Sequence, residues 1–219
     1  MNKNTVLITI GSIVALFAFL TVAYYATNTP KVQKDYTSVT KVLPSDHVKW
    51  AKNGKHVLVE YSDLQCPACA SFHDILKKQI ETDKTITQNI TFVYRNFPLP
   101  MHQYAVQAAY AAEAAGKQGK YFEMSDKIFT TQSEWSTKDP TAYFENLAKS
   151  LKLNVEQFKK DRDSQEVKNK VQADIKSGTA ADVNATPTFY LDGKKIDTVN
   201  SVEEFKKLLQ NTAQSKSGK

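Results

Sequence analysis

The most constraining feature is a strand-like run, a pair of cysteines and a helix start in direct succession. Residues His56 to Tyr61 (HVLVEY) alternate, with Val57, Val59 and Tyr61 on one face and Leu58 and Glu60 on the other. Ser62 and Asp63 follow, then Cys66-Pro67-Ala68-Cys69. From there Cys69, Phe72, Ile75, Leu76 and Ile80 keep helical spacing, and Asn89 to Tyr94 (NITFVY) forms the next strand before Phe97-Pro98-Leu99-Pro100. A strand–helix–strand unit predicts two parallel strands joined by a right-handed crossover. The middle of the chain predicts helices: an alanine-rich one from Gln103 stopping at Gly116, one over Lys120 to Thr130, one capped by Asp139 with Pro140 first, and one ended by Gly178. Thr188 to Leu191, the turn Asp192-Gly193 and Lys194 to Ile196 predict a hairpin. Ser201 to Glu204 caps a last helix that buries Phe205, Leu208 and Leu209. The class is therefore α/β, a small mixed sheet covered by helices.

The placement of the cysteines points to redox chemistry. Free backbone N–H groups and the positive end of a helix stabilise an anion, so a thiolate on Cys66 gains most. Cys69, one turn further in, is the sheltered partner, and disulfide exchange needs that asymmetry. Pro67 fits the first turn of the helix. Two alternatives stand beside this. A zinc site would need two of His47, His56, His73 and His102, which lack finger spacing, and no second cysteine pair exists. A structural disulfide closing so short a loop stabilises little. With 2 Cys in total, a multi-bridge secreted scaffold is excluded. Glu60 either lies beneath the cysteines, where burial raises its pKa and lets it take a proton from Cys69, or points to water on an edge strand. Thr186-Pro187 precedes a strand and is either a cis bond or an ordinary trans one. Tyr61-Ser62-Asp63 either tunes the site or completes the turn.

Ahead of this domain, Thr5 to Ala26 runs 22 residues without a charge, long enough to cross a bilayer as a helix, with Tyr24 and Tyr25 at its edge. It is expected to be an uncleaved anchor over residues 1–27, in preference to a cleaved signal peptide, whose apolar region is shorter. Residues 28–45 are polar and are expected to be a tether. A domain follows over 46–211 with a helical insertion at about 101–178, then a disordered tail over 212–219. The net charge is +6, but of 29 basic residues only Arg95 and Arg162 are arginines. Nucleic-acid readers rely on Arg forks, so no nucleic-acid partner is expected.

The segments VEYSDLQCPAC, FPLPMH, the alanine-rich helix and ATPTFYLDG resemble the DsbA-like branch of the thioredoxin superfamily, and more narrowly membrane-anchored or exported bacterial thiol–disulfide oxidoreductases. The resemblance runs from about Asp46 to Leu209. It implies a thioredoxin fold with an inserted helical domain that caps the site and shapes a substrate groove. Cys66 would then be the nucleophile, Cys69 the resolving thiol, Glu60 the buried acid and Pro187 a cis-proline facing the sulfurs. Thr186, Pro67 and Ala68 would contact substrate. The implied partners are cysteine-containing exported proteins and a redox partner in or near the membrane, for a monomer with no cofactor or metal. One departure concerns Ala68, which stands where the best-known oxidant of the family has a histidine that favours the thiolate. The direction of electron flow stays open at this point.

Overall fold

A computed structural model describes residues 14–24, 36–196 and 201–215, with Asn2 and Lys34. The chain divides into two compact units, Met1–Lys34 and Asp35–Lys219. In the first, residues 14–24 are helical with their side chains largely exposed. Among the described residues no helix is long and apolar enough to cross a membrane. Half of the expected span Thr5 to Ala26 lies outside the described residues.

The second unit is built on five strands in the order β1-β3-β2-β4-β5. These are β1 (His47–Trp50), β2 (His56–Ser62), β3 (Ile90–Asn96), β4 (Thr188–Leu191) and β5 (Lys194–Lys195). Only β2 and β3 run parallel; β1–β3, β2–β4 and β4–β5 are antiparallel. This is the mixed sheet of a thioredoxin fold, interrupted by helices between β3 and β4. Alternation along β2 divides the core. Leu58, with Phe92, Tyr94, Phe189 and Leu191, joins the core that contains Cys69, Leu76 and Phe205. Val59 and Tyr61, with Val93 and Tyr190, join the core on the other face with Phe97 and Val183.

The crossover from β2 to β3 begins with α1 (Pro67–Ile75). The single helix expected through Ile80 is in fact two pieces, because a π-turn at Leu76–Ile80 widens it where Leu76 and Ile80 enter the core. A short helix, α2 (Lys84–Thr87), capped by Asp83, was not legible in the sequence. The insertion holds α3 (Ala105–Gly116), α4 (Tyr121–Thr130), α5 (Gln132–Trp135), α6 (Thr141–Ser150), α7 (Val155–Asp163) and α8 (Gln165–Ala180). The alanines of α3 are small enough for α4, α7 and α8 to pack closely on it.

Several local expectations are corrected. Pro140, not Asp139, occupies the cap position of α6, and the Asp139 carboxylate accepts from the Thr141 N–H. Gly178 does not end its helix, which continues to Ala180. A Cβ there would lie 2.6 Å from the Phe97 ring and 3.0 Å from that of Tyr61, so packing excludes a side chain. The last helix, α9 (Val202–Gln214), buries Phe205, Leu209 and Ala213 but leaves Leu208 exposed; it carries order into the segment expected to be a frayed tail. The expected tether also packs in part. Thr37–Thr40 form a 3-10 turn with Val39 buried, and the Arg95 guanidinium donates to the Val39 and Lys41 carbonyls and the Asp46 carboxylate.

Candidate active site

Cys66 is the cap residue of α1, in extended conformation, and Pro67 is its first helical residue, where no N–H is lost. The Cys66 N–H donates to the Asp63 carbonyl at 3.0 Å, and its carbonyl accepts from Ala70 at 3.1 Å. The Cys66 sulfur therefore stands at the positive end of α1. Cys66 is 7% exposed and Cys69 is fully buried, while Pro67 and Ala68 face solvent. Both cysteines are free thiols.

The two sulfurs differ sharply in their chemistry. Donation from the Cys69 thiol, with help from the N–H groups of Cys69 and Ala68 and from the Thr186 hydroxyl, lowers the Cys66 pKa from 9.0 to about 5 against the opposing effect of burial. At pH 7 such a thiol is about 99% ionised. Burial, and the hydrogen bond to Cys66, push the Cys69 thiol well above the ordinary range. The Thr186–Pro187 peptide bond is cis, and in its thiol form Cys66 donates to the Thr186 carbonyl at 3.5 Å. The loop before β4 therefore lies directly against the cysteines.

Glu60 pairs with Tyr94 and Phe189 on its two neighbouring strands, so it is central in the sheet, not on an edge. It is 3% exposed, and burial raises its pKa from 4.5 to about 7; the Ser62 hydroxyl and Lys49 moderate the rise. A cavity of about 20 Å³, room for one water molecule, touches Glu60 together with Lys49, His73, Glu81 and Tyr94. Lys49 in turn pairs with Glu81 at 2.6 Å.

Tyr61-Ser62-Asp63 was read only as an approach that tunes the site or completes the turn, and Gln65 was not singled out from sequence. Asp63 is buried, and its carboxylate accepts from Gln65 N–H at 2.7 Å, Leu99 N–H at 2.8 Å and His102 Nδ1 at 2.7 Å. The Gln65 side chain accepts from Tyr104 N–H and donates to the Ser136 carbonyl. Together they bind the approach to Cys66 to the 97–104 loop and to the insertion. Ser62 and Tyr94 share the Glu60 face of the sheet, which a period of two already implies. The contacts of Asp63 with residues 36 and 39 positions away had no local signal. Each of the four histidines pairs with a carboxylate: His47 with Glu113, His56 with Asp192, His73 with Asp126 and His102 with Asp63. They do not converge on the cysteines. Among the described residues no group of three His, Cys, Asp or Glu side chains is placed to hold a metal ion.

Comparison with known proteins agrees with this architecture. The thioredoxin family model matches residues 43–211. Among curated relatives, a protein named Na(+)/H(+) antiporter NhaA 1 from Salinispora arenicola is 33% identical over 151 residues, 68% of this chain but 22% of its own length. The chain thus spans about a quarter of the curated relatives it matches. Oxidised BdbD from Bacillus subtilis superposes with a TM-score of 0.67 at 22% identity, covering 83% of this chain and 100% of that one. Alpha-DsbA1 from Wolbachia pipientis does so with a TM-score of 0.67 at 20% identity, covering 81% and 97%. With a mixed five-stranded sheet, an inserted helical block and a match over most of its length, the chain belongs to the thioredoxin family.

Proposed function

We propose that this protein is a thiol–disulfide oxidoreductase that introduces disulfides into cysteine-containing exported proteins. The observation that carries the reading is the opposed state of the two sulfurs: an ionised Cys66 at a helix start and a buried, protonated Cys69 that donates to it. In the oxidised form, a substrate thiolate attacks the Cys66 sulfur and Cys69 leaves, taking a proton from Glu60. A second substrate thiolate then attacks the mixed disulfide, and Cys66 departs as a stable thiolate. Regeneration passes two electrons to a membrane quinone-linked or small-molecule oxidant. The cis-Pro187 loop presents the Thr186 backbone to the bound peptide, and Pro67 and Ala68 form its exposed floor. Thr5 to Ala26 anchors the chain, and the catalytic domain works as a monomer outside the cytoplasmic membrane, where disulfides persist.

The test is a Cys69→Ala variant mixed with a reduced, unfolded protein substrate. A mixed disulfide at Cys66 is expected to accumulate; its absence refutes the proposal. Ala68 favours a second reading, a reductase or isomerase for specific clients, because no imidazole stands between the cysteines to favour the thiolate. Equilibration with glutathione separates the two. A potential near that of thioredoxin, about −270 mV, would exclude an oxidase.

A further inference from the structure

One buried carboxylate holds the turn that leads into Cys66. Asp63 follows directly on β2, and its side chain is fully buried. Its Oδ1 accepts from the Gln65 N–H at 2.7 Å, which closes an Asx turn over Asp63, Leu64 and Gln65. The Asp63 carbonyl accepts from the Cys66 N–H at 3.0 Å, so the same residue ends that turn at the cysteine. Oδ2 is taken up by the 97–104 loop. It accepts from the Leu99 N–H at 2.8 Å and from His102 Nδ1 at 2.7 Å. That loop is itself anchored. The Phe97 N–H donates to the Ser62 carbonyl at 2.7 Å, the His102 N–H to the Leu99 carbonyl at 3.0 Å, and the Ala105 N–H to the His102 carbonyl at 3.2 Å where α3 begins. An ionised carboxylate can only accept, so Nδ1 carries the hydrogen in its contact with Asp63. Of the three donors to that carboxylate, two are backbone N–H groups and only His102 is a side chain.

We propose that His102 is a positioning residue for the exchange at Cys66: by holding Asp63 Oδ2 it fixes the turn that sets the Cys66 sulfur at the start of α1. The inference rests on the thiol–disulfide reading and assigns a further residue to it. The route is a continuous chain of hydrogen bonds, from the imidazole to the Asp63 carboxylate, from there to the Gln65 N–H, and from the Asp63 carbonyl to the Cys66 N–H. The turn matters because Cys66 is the cap residue of α1, at φ −74° and ψ 123°. Its sulfur gains from the free N–H groups of the helix start only while that backbone conformation holds. Leu64 and Gln65 have ties of their own. Gln132 Nε2 donates to the Leu64 carbonyl at 3.0 Å, and the Gln65 side chain accepts from the Tyr104 N–H at 2.6 Å and donates to the Ser136 carbonyl at 2.9 Å. None of these reaches the Asp63 carboxylate, so they keep the segment folded without fixing the carboxylate's orientation. The His102 side chain is 19% exposed, and a substitution there does not open the core. No proton or electron passes through His102; it acts on the reaction through Asp63 alone.

The experiment separates the donor from the ring. His102→Phe keeps a ring and removes the N–H, whereas His102→Asn removes the ring and supplies an amide N–H near the place of Nδ1. Both are made in the full chain, with His102→Ala as a second donor-free variant should the Phe ring crowd the loop. Thiolate absorbance against pH reads the state of Cys66 in the reduced proteins, and equilibration with glutathione reads the potential. The donor-free variants are expected to raise the thiolate midpoint from about 5 to about 6, a tenfold loss. Their disulfides should become about tenfold less oxidising, a fall of about 30 mV in potential. His102→Asn should stay within about twofold of the parent in both measurements. Donor-free variants that also stay within about twofold overturn the proposal, even if their thermal midpoints fall, because His102 is then only a packing residue. A change that His102→Asn fails to rescue overturns it as well, since the ring and not the hydrogen bond would be what counts. If no mixed disulfide forms on the parent protein, the oxidoreductase reading itself fails; the thiolate midpoints still decide the role of His102.

Discussion

Glu60 offers a quantitative test of the burial that the account assigns to it. Its folded pKa is raised from 4.5 to about 7, chiefly by burial. A carboxyl whose folded pKa lies above its unfolded value stabilises the fold only as the neutral acid. That contribution is fully present below pH 4.5 and is lost as pH rises through about 7. The rise from 4.5 to about 7, at about 1.36 kcal/mol per pH unit, makes the ionised side chain cost about 3 kcal/mol at pH 8. Glu60→Gln removes the titration while keeping the shape. Relative to its parent, the variant is expected to gain about 3 kcal/mol between pH 4 and pH 8. Comparing the two pH values cancels any pH-independent change in packing or hydrogen bonding. Denaturant unfolding of both proteins in a Cys66→Ser background measures it, because the background removes the thiolate that titrates in the same window. An equal stability difference at the two pH values would show that Glu60 is solvated and would refute the argument.

Asp46 and Arg95 form a buried pair at 2.9 Å, with side chains 1% and 3% exposed. Asp46→Ala strands the guanidinium, and although the Val39 and Lys41 carbonyls remain, a loss of about 3 kcal/mol in denaturant unfolding is expected. A change below about 0.5 kcal/mol would mean that the pair is solvated. Gly178→Ala drives a Cβ into the Phe97 and Tyr61 rings and should cost about 1–3 kcal/mol, read as a lower thermal midpoint. An unchanged midpoint would show that these rings move aside freely.

Much of the site was legible because its determinants are local. A strand, a proline-stiffened turn and a helix start fix where Cys66 and Cys69 stand, and a period of two puts Glu60 on the face opposite Tyr61. Ser62 was read with Tyr61 and Asp63 only as tuning the site or completing the turn, because Cys69 and Tyr94 reach its face of the sheet from α1 and β3. Asp63 was read only as part of an approach to the cysteines, since Leu99 and His102 reach it from a distant loop. Strand β1 escaped notice because HVKW is four half-buried residues with a lysine in the middle. Its edge position is fixed by antiparallel pairing with β3, which carries no local signal. Gly178 was taken for a helix stop because glycine usually serves as one. Here the rings of Tyr61 and Phe97, brought from the sheet and the loop after it, demand the missing side chain.

The central claim is that the thiol at position 66 is ionised at neutral pH while its partner is not. Thiolate absorbance near 240 nm, followed against pH for the reduced full chain and for Cys66→Ser, tests it directly. One transition with a midpoint at about 5 is expected in the parent and none below pH 9 in Cys66→Ser. A parent midpoint between about 8 and 9, the range of an unassisted thiol, would contradict the account.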